Sequence, residues 1–284
     1  MSRMAGAAGR CLREDPRRIL AMGGGGFTMN DRSGVLDRLV LELTGRGVPR
    51  VCFLPTASGD QREQLMRFHE RFSLWPCETS ILSLFHLQRD RLDPREFLLS
   101  QDAIYVGGGS MRNMLAIWRE HRIDAVMREA WEAGVVLAGL SAGAMCWFEG
   151  GISLSGGRPE AVKGLGFLPG SLSVHRDSEP QRWPAYQRAI ADGQLPDGYA
   201  ADDGTALVFA GRHLVECVAS APSQRIVRVE LEAGSPMQRP LPLRVLNRAE
   251  APASVGRLAP APIDAERVAV EELRSVRVLR QRWE

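Results

Sequence analysis

The sequence predicts an α/β fold, a mostly parallel β-sheet flanked by helices, with additional strands in the C-terminal half. Three observations carry this expectation. Short apolar runs at 18–22, 50–54, 102–106 and 135–140 alternate with stretches of helical periodicity. Two of those runs end in glycine clusters, Gly23–Gly26 and Gly107–Gly109, and a third runs straight into Ser141. Beyond about residue 150 the pattern changes to glycine-rich turns and shorter strands. Strands that are apolar along their whole length belong in a sheet covered on both faces, which is the usual setting of parallel strands.

Residues 1–16 carry small residues and arginines without an apolar stretch, and read as a disordered leader rather than a signal peptide. The first strand is Arg18-Ile-Leu-Ala-Met22. A helix follows, with Val35, Leu36, Leu39, Val40 and Leu43 on one face and Gly45 and Gly47 to end it. Arg50-Val-Cys-Phe-Leu54 is the second strand, 61–74 a helix, and Thr79 to Phe85 the third strand. Asp102 to Val106 is the fourth, and Ser110 is a suitable N-cap for a helix over 111–120. A second helix covers 123–133, and Val135 to Leu140 forms the fifth strand. Further on, 150–157 and 164–170 read as glycine-rich turns, Pro184 to Asp192 as a helix, and 206–209, 214–218 and 226–231 as strands. Residues 233–284 read as a C-terminal extension of unknown role, Pro-rich and Arg-rich, with apolar character returning at 268–279.

Bulk composition excludes several classes. The net charge is only +2, from 36 basic and 34 acidic residues, so no basic surface for nucleic acid is expected. No apolar run is long enough to span a bilayer. Five scattered cysteines without C-x-x-C spacing fit free thiols in a reducing compartment, and the cytoplasm is the expected location. Lys163 is the only lysine, an arginine bias that reflects genome composition better than phosphate binding, since the arginines do not cluster. No metal or organic cofactor is implied.

Ser141 lies in Gly139-Leu-Ser-Ala-Gly143, a G-x-S-x-G frame after a strand. Such a frame holds a serine on a sharp turn with its Oγ exposed, and small flanking residues let the turn close. The Ala142 N–H would then sit at a helix start and face developing negative charge. A tight strand-to-helix turn with a chance serine gives the same pattern. A serine nucleophile needs a base. His69 reads as solvated surface, His86 as a strand end, His121 as a helix end and His213 as a turn residue. His175 differs, following the alternation of Leu172-Ser-Val174 and opening a polar segment. Asp202 and Asp203, before a strand, are candidate carboxylates to orient an imidazole, although Asp-Asp-Gly is equally an ordinary hairpin signal. The order Ser, His, Asp departs from the α/β-hydrolase order Ser, Asp, His.

With these residues in view, the chain resembles the peptidase E family, the aspartyl dipeptidase and cyanophycinase group of serine peptidases. The resemblance rests on Gly23–Gly26, Phe53-Leu-Pro-Thr-Ala57, Ile104-Tyr-Val-Gly-Gly-Gly109, Gly139-Leu-Ser-Ala-Gly-Ala144, Val174-His175 and Asp203-Gly204 in that order, over about 17–232. It implies a sheet like that of class I glutamine amidotransferases, a flavodoxin-like arrangement, with serine in place of the cysteine nucleophile. It implies Ser141 as nucleophile, His175 as base and Asp203 as the third member, with Asp202 the fallback. It implies oxyanion N–H groups from Gly108 and Ala142. Members with aspartyl dipeptidase activity typically carry asparagine after the glycine triplet, where this chain has Ser110, and well-marked members of the family carry an aromatic residue after the histidine, where it has Arg176.

Ser110 and Arg182 are candidate substrate-binding residues, with Arg176 and Arg188 in the same arginine-rich segment, which as a solvated loop would bind nothing. The expected activity is hydrolysis of small peptides, including peptides with an N-terminal aspartyl residue. The alternatives are cyanophycinase-like hydrolysis of aspartyl-arginine peptides, or a non-catalytic protein binding a small molecule on the same scaffold. The expected partner is a peptide substrate, with neither nucleic acid nor membrane; a homodimer is plausible by analogy.

Overall fold

In the computed structural model the described residues are 15–29, 33–87 and 91–246. The expected leader up to residue 14 and the segment 268–279 lie outside them. Among the described residues no helix is long and apolar enough to cross a membrane.

Five parallel strands form the heart of the larger sheet. They are β1 (Arg18–Met22), β2 (Arg50–Leu54), β3 (Glu78–Ile81), β4 (Ala103–Val106) and β5 (Val136–Leu140), in the spatial order β1-β5-β4-β2-β3. On the far side of β1 the sheet continues antiparallel through β10 (Thr205–Ala210) and β11 (His213–Ala219), and ends in the short β14 (Arg244–Val245). A second, six-stranded sheet comprises β6 (Gly150–Ser153), β7 (Glu160–Lys163), β8 (Ser171–Ser173), β9 (Gly198–Ala201), β12 (Ile226–Glu232) and β13 (Ser235–Pro240). The α/β class expected from the strand pattern, with extra C-terminal strands, is the architecture observed.

The period of two along each parallel strand divides its side chains between two cores. Ile19, Ala21, Cys52, Leu54, Ile104, Val106 and Leu137 face one layer, built with Met111, Met114 and Trp118 of α4 (Met111–Glu120) and Ile123, Met127 and Trp131 of α5 (Ile123–Glu132). Leu20, Met22, Val51, Phe53, Tyr105, Ala138 and Leu140 face the other. There they meet Leu36, Leu39 and Val40 of α1 (Val35–Leu43) and Phe68 and Phe72 of α2 (Arg62–Phe72).

Several expectations need correction. The third strand stops at Ile81 rather than Phe85; Leu82 and Leu84 stay buried against the core, but the chain turns there, with the Ser83 hydroxyl donating to Asp60. A helix absent from the sequence reading, α3 (Pro94–Leu99), is capped by Asp93, whose carboxylate accepts from the Arg95 and Glu96 N–H groups. Asp followed by Pro at the first helical position is its legible signal. The stretch beginning at Gly150 is not a turn at its start but strand β6, hydrogen-bonded to β7 on one side and β8 on the other. Its Gly151 packs where a β-carbon would run into Leu172 O and Met145, so the glycine marks close approach rather than reversal. Finally, β13 and β14 lie beyond residue 232; β13 pairs with β12 as a hairpin, Glu232 opposite Ser235.

Candidate active site

Because β1, β4 and β5 run parallel, their carboxyl ends share one rim, where the residues picked out from sequence gather. Ser141 follows β5 directly and begins α6 (Ala142–Met145). Its backbone is at φ 55° and ψ −113°, outside the ordinary regions for a residue with a side chain. Such a conformation costs on the order of 1–3 kcal/mol and persists only when the surroundings hold it. Here the Ser141 N–H donates to Met22 O at 3.1 Å, and its carbonyl accepts from the Ala144 and Met145 N–H groups at 3.0 Å. Gly139 and Gly143 make the turn possible, since a β-carbon on Gly139 would strike the Gly143 backbone and one on Gly143 would strike the Val106 carbonyl.

His175 comes from the second sheet, and Asp203 from the turn that leads from it into the larger one. His175 lies just beyond β8, also at a left-handed φ of 55°, and Asp203 lies in the turn between β9 and β10. His175 Nε2 is 2.9 Å from Ser141 Oγ, and His175 Nδ1 is 2.5 Å from Asp203 Oδ1. The end of β1 ties these three segments together. Successive carbonyls of Met22, Gly23 and Gly24 accept from the N–H groups of Ser141, His175 and Gly204, each at 3.1 Å. Gly24 fills a role that the sequence reading did not assign to it. A β-carbon there would overlap Asp203 Oδ1 and stand 2.8 Å from His175 Nδ1.

Burial raises the Asp203 pKa, but hydrogen bonds from His175 and Ser178 and the positive charges of His175 and Arg182 outweigh it, leaving the pKa below the usual carboxylate range. An ionised carboxylate only accepts, so it selects the imidazole tautomer with hydrogen on Nδ1. Nε2 is then free to accept the Ser141 hydroxyl proton. Asp202 turns the other way. It is 4% exposed and forms an ion pair with Arg176, Nε to Oδ1 at 2.8 Å, while Oδ2 accepts from the Arg225 N–H at 2.8 Å. Of the two aspartates left open by the sequence, Asp203 is the one in contact with His175.

Gly108 is buried beside the serine, its ideal β-carbon position 3.3 Å from Ser141 Cβ. Among the described residues neither the Gly108 nor the Ala142 N–H has an intrachain acceptor. Ser110 is half-buried and accepts from the Asn113 N–H, capping α4 as expected. Arg182 departs from expectation. At the start of α7 (Arg182–Ala191) it is 5% exposed, and its guanidinium donates to the Ile152 carbonyl and to Glu179. Internal partners thus occupy its guanidinium, while Arg188 is exposed on the last turn of the same helix.

The remaining histidines stand apart from the serine. His86 and His121 are exposed, and His213 is the exposed first residue of β11. His69 is half-buried rather than solvated, 3.1 Å from Thr79 Oγ1, and burial lowers its pKa. Among the described residues no group of three or more His, Cys, Asp or Glu side chains is placed to hold a metal ion.

The family model for peptidase family S51 matches residues 19–217. The chain is 45% identical over 230 residues to a protein of Bacillus subtilis (strain 168) named uncharacterized peptidase YgaJ, covering 81% of this chain and 99% of that one. The crystal structure of a peptidase from an acI-B1 Actinobacterium has the same fold, with a TM-score of 0.59 at 18% identity, covering 79% of this chain and 93% of that one.

Proposed function

The chain belongs to peptidase family S51 and is a serine-type peptidase, and we propose that Ser141, His175 and Asp203 are the triad through which it hydrolyses small peptides. The observation that carries this is the pair of contacts on His175, 2.9 Å to Ser141 Oγ and 2.5 Å to Asp203 Oδ1, on a backbone turn that holds the serine in a strained conformation. Those contacts give each group one task. His175 Nε2 takes the Ser141 proton as Oγ attacks the scissile carbonyl carbon. The developing oxyanion accepts from the Gly108 and Ala142 N–H groups, a contribution of about 3–4 kcal/mol per donor in comparable sites. His175 returns its proton to the leaving amine, and a water activated by the same nitrogen releases the acyl group from Ser141. Asp203 keeps the imidazole oriented and stabilises its charged form throughout.

The substrates to try first are short peptides with an N-terminal aspartyl residue, α- and β-linked, alongside aspartyl-arginine dipeptides and dipeptides with other N-terminal residues. This choice follows from the family resemblance. Wild-type protein is expected to cleave members of the panel and to be labelled by a fluorophosphonate, with Ser141→Ala losing both. Hydrolysis by Ser141→Ala at the wild-type rate would remove Ser141 from the mechanism.

A further inference from the structure

We propose that Asp202 is a positioning residue for His175, acting through Arg176 to hold the histidine's turn in register with Asp203. The inference rests on the Ser141–His175–Asp203 triad proposed above and assigns a task to the neighbouring carboxylate.

His175 carries a side chain at φ 55°, a left-handed conformation that costs such a residue roughly 1–2 kcal/mol. Left alone, this turn would relax and carry the imidazole away from Ser141. Its restraints converge on 201–203. The Arg176 N–H donates to Ala201 O at 3.1 Å, and the Arg176 side chain meets the Asp202 carboxylate through one hydrogen bond, Nη2 to Oδ2 at 3.2 Å, and an ionic contact of Nε with Oδ1 at 2.8 Å that lacks hydrogen-bond alignment. In return Asp177 Oδ1 accepts from the Asp203 N–H at 2.9 Å. Residues 175–177 and 201–203 are therefore interlocked, and the His175–Asp203 hydrogen bond is one member of that set.

Asp202 is itself immobilised. Its N–H donates to Arg225 O at 3.0 Å, its carboxylate accepts from Arg225 N–H at 2.8 Å, and its carbonyl accepts from Thr205 Oγ1 at 2.7 Å. Thr205 O in turn accepts from the Gly23 N–H at 2.9 Å, next to the carbonyl that holds the His175 N–H. The clamp is thus anchored to the same end of β1 whose Met22 carbonyl accepts from the Ser141 N–H. A buried carboxylate paired with a half-buried guanidinium adds little net stability, because desolvation offsets most of the attraction. What such a pair does supply is one fixed geometry.

The test is a comparison of Asp202→Asn, Arg176→Ala and the double variant with wild type. It uses kcat and KM on a cleaved peptide, thermal melting, and the downfield NMR signal of the His175 proton shared with Asp203. Each single variant is expected to fold, to lower kcat between ~10- and ~100-fold with KM within about twofold, and to shift or broaden that signal. The double variant is expected to be no worse than the poorer single one, because both act through one pair. Full kcat in Arg176→Ala would overturn the proposal, and this variant decides the matter if Asp202→Asn fails to fold. A rise confined to KM would also overturn it, in favour of Arg176 as a substrate contact. Loss of activity and labelling in Ser141→Ala together with full kcat in the clamp variants would sink the positioning role and leave the triad standing.

Discussion

The backbone of Gly24 lies against the carboxylate of Asp203 with no room for a methyl group between them: a β-carbon on Gly24 would overlap Oδ1 and crowd the His175 ring at 2.8 Å. Two atoms of the proposed catalytic relay thus depend on a residue with no side chain. Gly24→Ala is expected to leave the sheet folded and to lower kcat by about 10²-fold or more through displacement of Asp203 and His175. Steady-state kinetics beside a melting curve checks this, and an active Gly24→Ala would mean that the site tolerates the displacement.

Asp203→Asn removes the charge that orients His175 while keeping the shape. The expected fall in kcat is about 10³- to 10⁴-fold, as for the equivalent change in a serine protease triad. The variant also carries a pH signature. The folded-state pKa of Asp203 lies below the ordinary aspartate value of 3.8, so its contribution to stability is complete above that pH and is lost as pH falls through the lower folded-state value. Urea melts should find the variant less stable than wild type at pH 7, with the gap closing below pH 3.8.

Asp60 presents the opposite case. Burial raises its pKa above 3.8, outweighing the Ser83 hydrogen bond and the charge of His86, and among the described residues its buried Oδ1 has no hydrogen-bond partner. It also holds a left-handed φ of 59°, where asparagine is among the better tolerated residues. Because the folded state prefers the protonated acid, ionisation above pH 3.8 costs stability. Asp60→Asn is therefore expected to raise Tm by about 1–3 °C at pH 7, and that advantage should shrink in acid. A lower Tm at pH 7 would show that the carboxylate has a partner-binding or structural task.

The three buried thiols, Cys52, Cys146 and Cys217, should be inert in the folded protein. Cys146, five residues after Ser141, is fully buried, and burial raises its pKa well above the ordinary thiol value of 9.0. The same cause pushes Cys52 and Cys217 up to about 12. Iodoacetamide at pH 8 is expected to spare these three cysteines by peptide mapping and to leave activity intact, whereas a fluorophosphonate abolishes it. Inactivation that follows Cys146 alkylation would place the thiol in the chemistry.

Much of the parallel core was legible because its signals are local. Arg18–Met22 and Arg50–Leu54 are strands with the bounds read from their apolar runs, and Val35–Leu43 is a helix with the bounds set by its periodicity and the glycines after it. Ser110 caps its helix as its residue type suggests. The second half was less legible. Its strands are short, β8 spans only Ser171–Ser173, and glycines such as Gly151 serve close packing between strands rather than turns. The burial of Arg182 was hidden for a related reason: an arginine in a polar stretch reads as solvent-facing, and its contacts with the Ile152 carbonyl and Glu179 are made only in the fold.

By itself, the sequence determined the alternation of strands and helices, the serine on its G-x-S-x-G turn and the standing of His175 among the five histidines. Those features are written in side-chain periodicity and in residues that fit only one local backbone. Only the tertiary structure decided between Asp202 and Asp203. Neighbouring side chains in a turn diverge, and which one meets the histidine depends on distant segments. The Arg176 cation and the Arg225 N–H draw Asp202 to one side, and the bare backbone of Gly24 leaves Asp203 the space to reach His175 on the other.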